Sequence, residues 1–140
     1  MMSFLQFDEF FESEFIDTDF QLFENYDQAM ERLQNAITNK FICTLYYKGD
    51  KASGVQDGYR QIEPYALGVN RSGNTILRAW MISGASKTGR KNPKLVPGWR
   101  IFRVDRIFGI NQTLQKFTSP RKGYNAKDKG MTEVMYSVTF

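Results

Sequence analysis

Apolar side chains recur every three or four positions at Tyr26, Met30, Leu33 and Ile37, a spacing that gathers them on one face of a helix. Asn25 or Asp27 can supply the N-cap, because a short polar side chain there accepts from the free N–H groups of the first turn. A helix over residues 26–38 is therefore predicted. At Phe41 the period falls to two. FICTLYY (41–47) puts Phe41, Cys43, Leu45 and Tyr47 on one side of a strand and Ile42, Thr44 and Tyr46 on the other. After the turn-rich KGDKASGVQDG, YRQIEPYALGV reads as a second strand, broken by Pro64, which has no N–H to give to a ladder. RSGN (71–74) is a hairpin turn. TILRAWMI (75–82) then alternates between Ile76, Arg78 and Trp80 on one face and Leu77, Ala79 and Met81 on the other. WRIFRVDRIFGI (99–110) returns to strand character, and MYSVTF points to a final strand over 132–139.

The segments between these elements differ in kind. Residues 1–24 interleave Phe with Asp and Glu, and could form a short amphipathic helix or stay loose until something binds them. SGASKTGRKNPKLVPG (83–98) and FTSPRKGYNAKDKG (117–130) are basic and rich in Gly and Pro; both read as exposed loops, the second a flexible one. At 140 residues the chain suits one domain with its own core. The expected organisation is a leader over 1–24 and a mostly β domain over 25–140. That domain holds the N-terminal α-helix (26–38), a small β-barrel of about five strands (41–113), the basic loop (117–130) and the C-terminal strand (132–139).

Charge changes this picture. The net value of +4 conceals nine acids and no base between Asp8 and Glu31, against six acids and all nineteen bases over residues 32–140. The body thus carries +13, a charge that attracts polyanions through steering and counterion release. The acidic, aromatic leader has three readings: a self-strap that imitates a nucleic-acid backbone, an arm that packs on a second copy or another partner, or a locally packed helix. One cysteine, Cys43, sits inside an apolar run and cannot make an internal disulfide, which fits a reducing compartment. No secretory signal or long apolar span is evident, so a cytoplasmic protein with no membrane partner is expected.

Catalysis has little to work with. No histidine is present, which removes the commonest general base and metal ligand. One cysteine cannot build a zinc shell, and the six carboxylates of the body are scattered. The chain also lacks a G-x-x-x-x-G-K-[ST] loop. The expectation is a protein that is not an enzyme, with no catalytic residues, no metal and no cofactor.

Cationic and aromatic side chains remain. Arg60, Arg78, Arg100, Arg103 and Arg106 fall on strand-like segments, where planar guanidinium groups can grip phosphates bidentately. Tyr46, Tyr47, Tyr59, Tyr65, Trp80 and Trp99 lie on or beside the same segments, and base stacking on such rings is worth about 1–3 kcal/mol per base. The plainer readings are burial of the rings and local ion pairing of the arginines, with Asp105 an obvious partner for Arg103 or Arg106.

The order of LYY (45–47), RQIEPY (60–65), TILRA (75–79) and FRVDRI (102–107) resembles the WYL domain family, although Thr75-Ile76-Leu77 stands where the family has its naming Trp-Tyr-Leu. The resemblance implies an SH3-like or Sm-like barrel of the kind found in bacterial and phage regulators, which senses or binds nucleic-acid ligands through basic and aromatic residues. By the resemblance, Arg60, Tyr65, Arg103 and Arg106 are site residues. Arg78, with Trp80 beside it, follows from strand alternation, and Tyr47 closes the strand that leads the pattern. The expected function is a regulatory module that binds single-stranded nucleic acid. A sensor or sponge for a small (cyclic) nucleotide and a protein-interaction or oligomerisation adaptor acting through the leader are the alternatives.

Overall fold

Asn25 starts the helix: its backbone is extended and its side chain accepts from the Gln28 N–H at 2.8 Å. Helix α1 (Tyr26–Asn39) ends at Lys40, whose φ of 57° turns the chain away while its N–H reaches back to the carbonyls of Ala36 and Ile37. The buried face is Ala29, Leu33, Ala36 and Ile37, rotated slightly from the predicted stripe. Tyr26 stays half exposed, its hydroxyl hydrogen-bonded to that of Thr75 at 2.8 Å.

The computed structural model describes residues 21–50, 52–84 and 97–140. Residues 1–20 of the leader and 85–96 of the first basic loop, on which several expectations fell, lie outside them. The remaining elements are β1 (Gln21–Leu22), β2 (Phe41–Tyr47), β3 (Gly58–Val69), β4 (Thr75–Gly84), β5 (Gly98–Arg103), a 3-10 turn (Val104–Arg106), β6 (Ile107–Lys116) and β7 (Glu133–Ser137). They form one antiparallel sheet of seven strands in the order β1-β6-β2-β3-β4-β5, with β7 on β3.

Three expectations are corrected by this sheet. Pro64 does not break its strand: β3 is continuous and changes partner there, pairing with β2 from Gly58 to Ile62 and with β7 from Ala66 to Val69. A residue without an N–H suits the gap between the two ladders, and the β4 register slips between Pro64 and Ala66. The row is also open, since no pairing among the described residues joins β1 to β5, and it has seven strands rather than the closed barrel of about five. The segment 99–110, expected as one strand, supplies two. The 3-10 turn sends β5 to β4 and β6 to β2 and β1.

The core lies between α1 and the sheet and includes Leu33, Ile37, Cys43, Leu45, Ile62, Leu67, Leu77 and Met81, each at most 1 % exposed. Full burial of such a side chain contributes about 1.5–3 kcal/mol. The alternation predicted for β4 holds, with Leu77, Ala79 and Met81 inward and Arg78 and Trp80 half buried on the other face.

That other face is not bare. Residues 117–130, read as a flexible loop, are an ordered strap laid across Trp80 and Trp99. The Arg121 N–H donates to the Tyr65 hydroxyl at 3.0 Å, and the Trp99 indole N–H donates to the Lys122 carbonyl at 2.9 Å. The strap is held by rings, for Tyr65 lies 4.8 Å from Trp99 and 5.1 Å from both Phe117 and Tyr124. The final strand, β7, is slightly shorter than the predicted 132–139.

Candidate nucleic-acid interface

The seven candidate residues fall into two groups. The first surrounds Tyr47 at the end of β2. The Arg60 guanidinium carbon stands 5.7 Å from the centre of the Tyr47 ring, and the Arg103 N–H donates to its hydroxyl at 3.0 Å. Arg106 reaches back to the next two residues, donating to the carbonyls of Lys48 (3.3 Å) and Gly49 (2.7 Å). Burial raises the pKa of Tyr47, opposed by the Arg103 hydrogen bond and the Arg106 charge.

These arginines are held in different ways. Arg103 makes a two-pronged pair with Asp105 at 2.6 and 3.1 Å, as the sequence suggested, and the hydrogen bond raises its pKa. Arg60 is 1 % exposed and donates to the Gln56 carbonyl at 2.6 Å, while its Nη1 has no acceptor among the described residues. Burial lowers its pKa. Neither Arg60 nor Arg106 has a carboxylate within ion-pair distance among the described residues. Beside this corner runs an apolar groove of about 470 Å³, lined by Leu22, Tyr26, Val104, Asp105, Ile107 and Phe108 among others. Tyr26 and Phe108 are 52 % and 46 % exposed there, so each can offer a ring to a ligand.

The second group is Tyr65, Arg78 and Trp80, under the strap. Tyr65 is fully buried: its hydroxyl donates to Glu63 at 3.2 Å, and burial pushes its pKa up to about 12. Trp80 carries the Arg121 guanidinium 5.3 Å above its ring and meets Trp99 edge-on at 5.4 Å. Arg121 in turn grips the buried Glu63 at 2.8 and 3.0 Å. Arg78 is bound two-pronged by Asp128 at 2.6 and 3.1 Å, and that hydrogen bonding lowers the Asp128 pKa. The guanidinium groups thus occupy two places, three around Tyr47 and Arg78 apart from them.

Sequence reasoning missed Arg121, Tyr124 and Asp128, because a Gly/Pro-rich basic stretch carries no periodicity to show that it folds back. It also missed Phe108 and Tyr26 as exposed rings, because Phe108 lies inside an apolar strand run and Tyr26 falls on the apolar stripe of the helix. Among the described residues, no three of His, Cys, Asp and Glu come together to hold a metal, and no helix is long and apolar enough to cross a membrane.

A helix laid on one antiparallel sheet, with Arg60, Arg103 and Arg106 gathered near Tyr47, defines a small, mostly β module with a cationic corner. The WYL domain model matches residues 28–112, and the chain belongs to that family. Among solved structures it is similar in fold to proteasome accessory factor B/C (PafBC) of Arthrobacter aurescens, with a TM-score of 0.53 and 20% sequence identity. The likeness covers 79% of this chain but only 15% of that one. Among curated proteins, no sequence matches this chain.

Proposed function

We propose that this chain is a non-enzymatic, regulatory binding module for single-stranded nucleic acid, acting in the cytoplasm and taking phosphates at the Tyr47 corner. One observation carries the reading: Arg60 and Arg106 are fixed by backbone carbonyls instead of carboxylates. Their positions are set, yet their charge is left whole. Guanidinium charge that no carboxylate neutralises attracts an anion, and a phosphate supplies that charge together with acceptors for the N–H groups that reach solvent. Arg60 is too deeply buried to be the first contact, so Arg106 and Arg103 meet the strand while Arg60 adds positive potential behind them. Phe108 and Tyr26 offer stacking surfaces in the adjoining groove.

The test is fluorescence anisotropy with labelled single-stranded DNA and RNA at low ionic strength. Saturable binding that weakens in Arg103→Ala and Arg106→Ala is the expected result. Absence of binding to either polymer at low salt removes the reading.

A further inference from the structure

The family match ends at residue 112, yet the chain goes on to build a second concavity from the strap that follows. This cavity, of about 290 Å³, is bounded by Arg78 and Trp99 from the sheet and by Tyr124, Asn125, Asp128 and Lys129 from the strap. Its size lies just below the range of small-ligand pockets, roughly 300–1,000 Å³, and so limits it to a small ligand.

Its walls are chemically divided. On one side Trp99 and Tyr124 lie nearly parallel, 26° apart with ring centres 6.4 Å from each other. Gly123 lets the strap pass close to the N–H edge of Trp99: its φ is +93°, and a Cβ there would fall 3.1 Å from the indole nitrogen. On the other side the Asp128 carboxylate is fully engaged, by Arg78 and by the Gly130 N–H at 2.8 Å, and cannot repel an anion as a free carboxylate would. Lys129 is exposed at the rim and has no carboxylate partner among the described residues. Asn125 accepts from the Lys127 N–H through its side-chain oxygen, which leaves its amide N–H groups to donate.

An aromatic wall, a neutralised floor, a spare amide and one free ammonium fit a planar heteroaromatic ring that carries a single anionic group. We propose that this pocket binds one nucleoside monophosphate, with the base against Tyr124 and Trp99 and the phosphate at Lys129. It is separate from the Tyr47 corner and stands whether or not that corner binds polymer.

The test is isothermal titration of the full chain with the four ribonucleoside 5′-monophosphates, the matching nucleosides and inorganic phosphate, with tryptophan fluorescence as a second readout. At least one monophosphate is expected to bind saturably and to shift the tryptophan emission. Its nucleoside is expected to bind about tenfold more weakly, and phosphate alone not at all. Lys129→Ala and Asn125→Ala change exposed side chains, and each should weaken monophosphate binding several-fold without changing the melting temperature. The proposal is overturned if no monophosphate binds, if nucleoside and monophosphate bind equally, or if binding survives both substitutions.

Discussion

Arg60 shows how much one side chain can reveal about a protein's use. Its guanidinium is out of water, lies over a tyrosine ring, holds one carbonyl and leaves Nη1 without an acceptor among the described residues. Replacing a buried charge by an apolar side chain of similar length is often neutral or stabilising, because the desolvation cost disappears. Arg60→Met is therefore expected to leave the melting temperature unchanged or slightly raised, while affinity for single-stranded DNA falls about tenfold, or about 1.4 kcal/mol. Paired calorimetry and anisotropy check this, and a large loss of stability with unchanged affinity would assign Arg60 to the scaffold. Arg121 behaves oppositely. It is the partner of a carboxylate that is 2 % exposed, so Arg121→Ala strands Glu63 in the core and should cost about 1–3 kcal/mol, read as a lower midpoint in urea. The double variant Arg121→Ala/Glu63→Gln should recover part of that loss, since the stranded charge is gone.

At the scale of elements, the strap over residues 117–130 decides how the sheet is covered, and Asp128 is its polar anchor. The Arg78 hydrogen bonds hold the Asp128 pKa below the ordinary carboxylate value of about 3.9. A depressed folded-state pKa means that the stabilisation is present above the unfolded value and lost as pH falls through the folded one. Asp128→Asn should accordingly lower the melting temperature by several degrees at pH 7, and the gap to the parent protein should narrow as pH falls below about 4. A gap that stays constant as pH falls below about 4 would show that the anchor is not electrostatic. Nothing in the sequence announced this element. The helix and strands β2 and β4 were legible because each buries a face with a regular period, whereas β3 is buried continuously from Ile62 to Gly68 and runs through Pro64 where a break was expected. The strap was hidden because it is held by single contacts from far along the chain, such as Tyr65 to Arg121 and Trp99 to Lys122. The division of 99–110 into two strands was hidden for a related reason. Val104-Asp105-Arg106 is one 3-10 turn inside an otherwise unbroken strand pattern. The strand positions of most candidate residues were legible but their grouping was not, since alternation places Arg78 on a face without showing that Asp128 will neutralise it.

For the whole molecule, the uneven charge becomes a quantitative expectation. Residues 32–140 carry +13, but Arg78 and Arg121 are each committed to a shielded carboxylate, whereas the Arg103–Asp105 and Lys48–Asp57 pairs lie in solvent and can open to a phosphate. Total charge therefore overstates what a strand of phosphates would meet at close range. If Arg103, Arg106 and Lys48 make the phosphate contacts, the logarithm of affinity should fall with the logarithm of salt at a slope of about −2, since single strands give roughly −0.7 per phosphate neutralised. Binding that relied on the entire basic body would give a far steeper line. Arg106→Ala should then lower the slope by about 0.7 and weaken all sequences alike, because a phosphate contact carries no base information. Anisotropy titrations between about 50 and 200 mM salt resolve the two cases. A slope near zero would mean that the ligand is held mainly by stacking at Tyr26 and Phe108, and a slope unchanged in Arg106→Ala would move the phosphate contacts away from the Tyr47 corner.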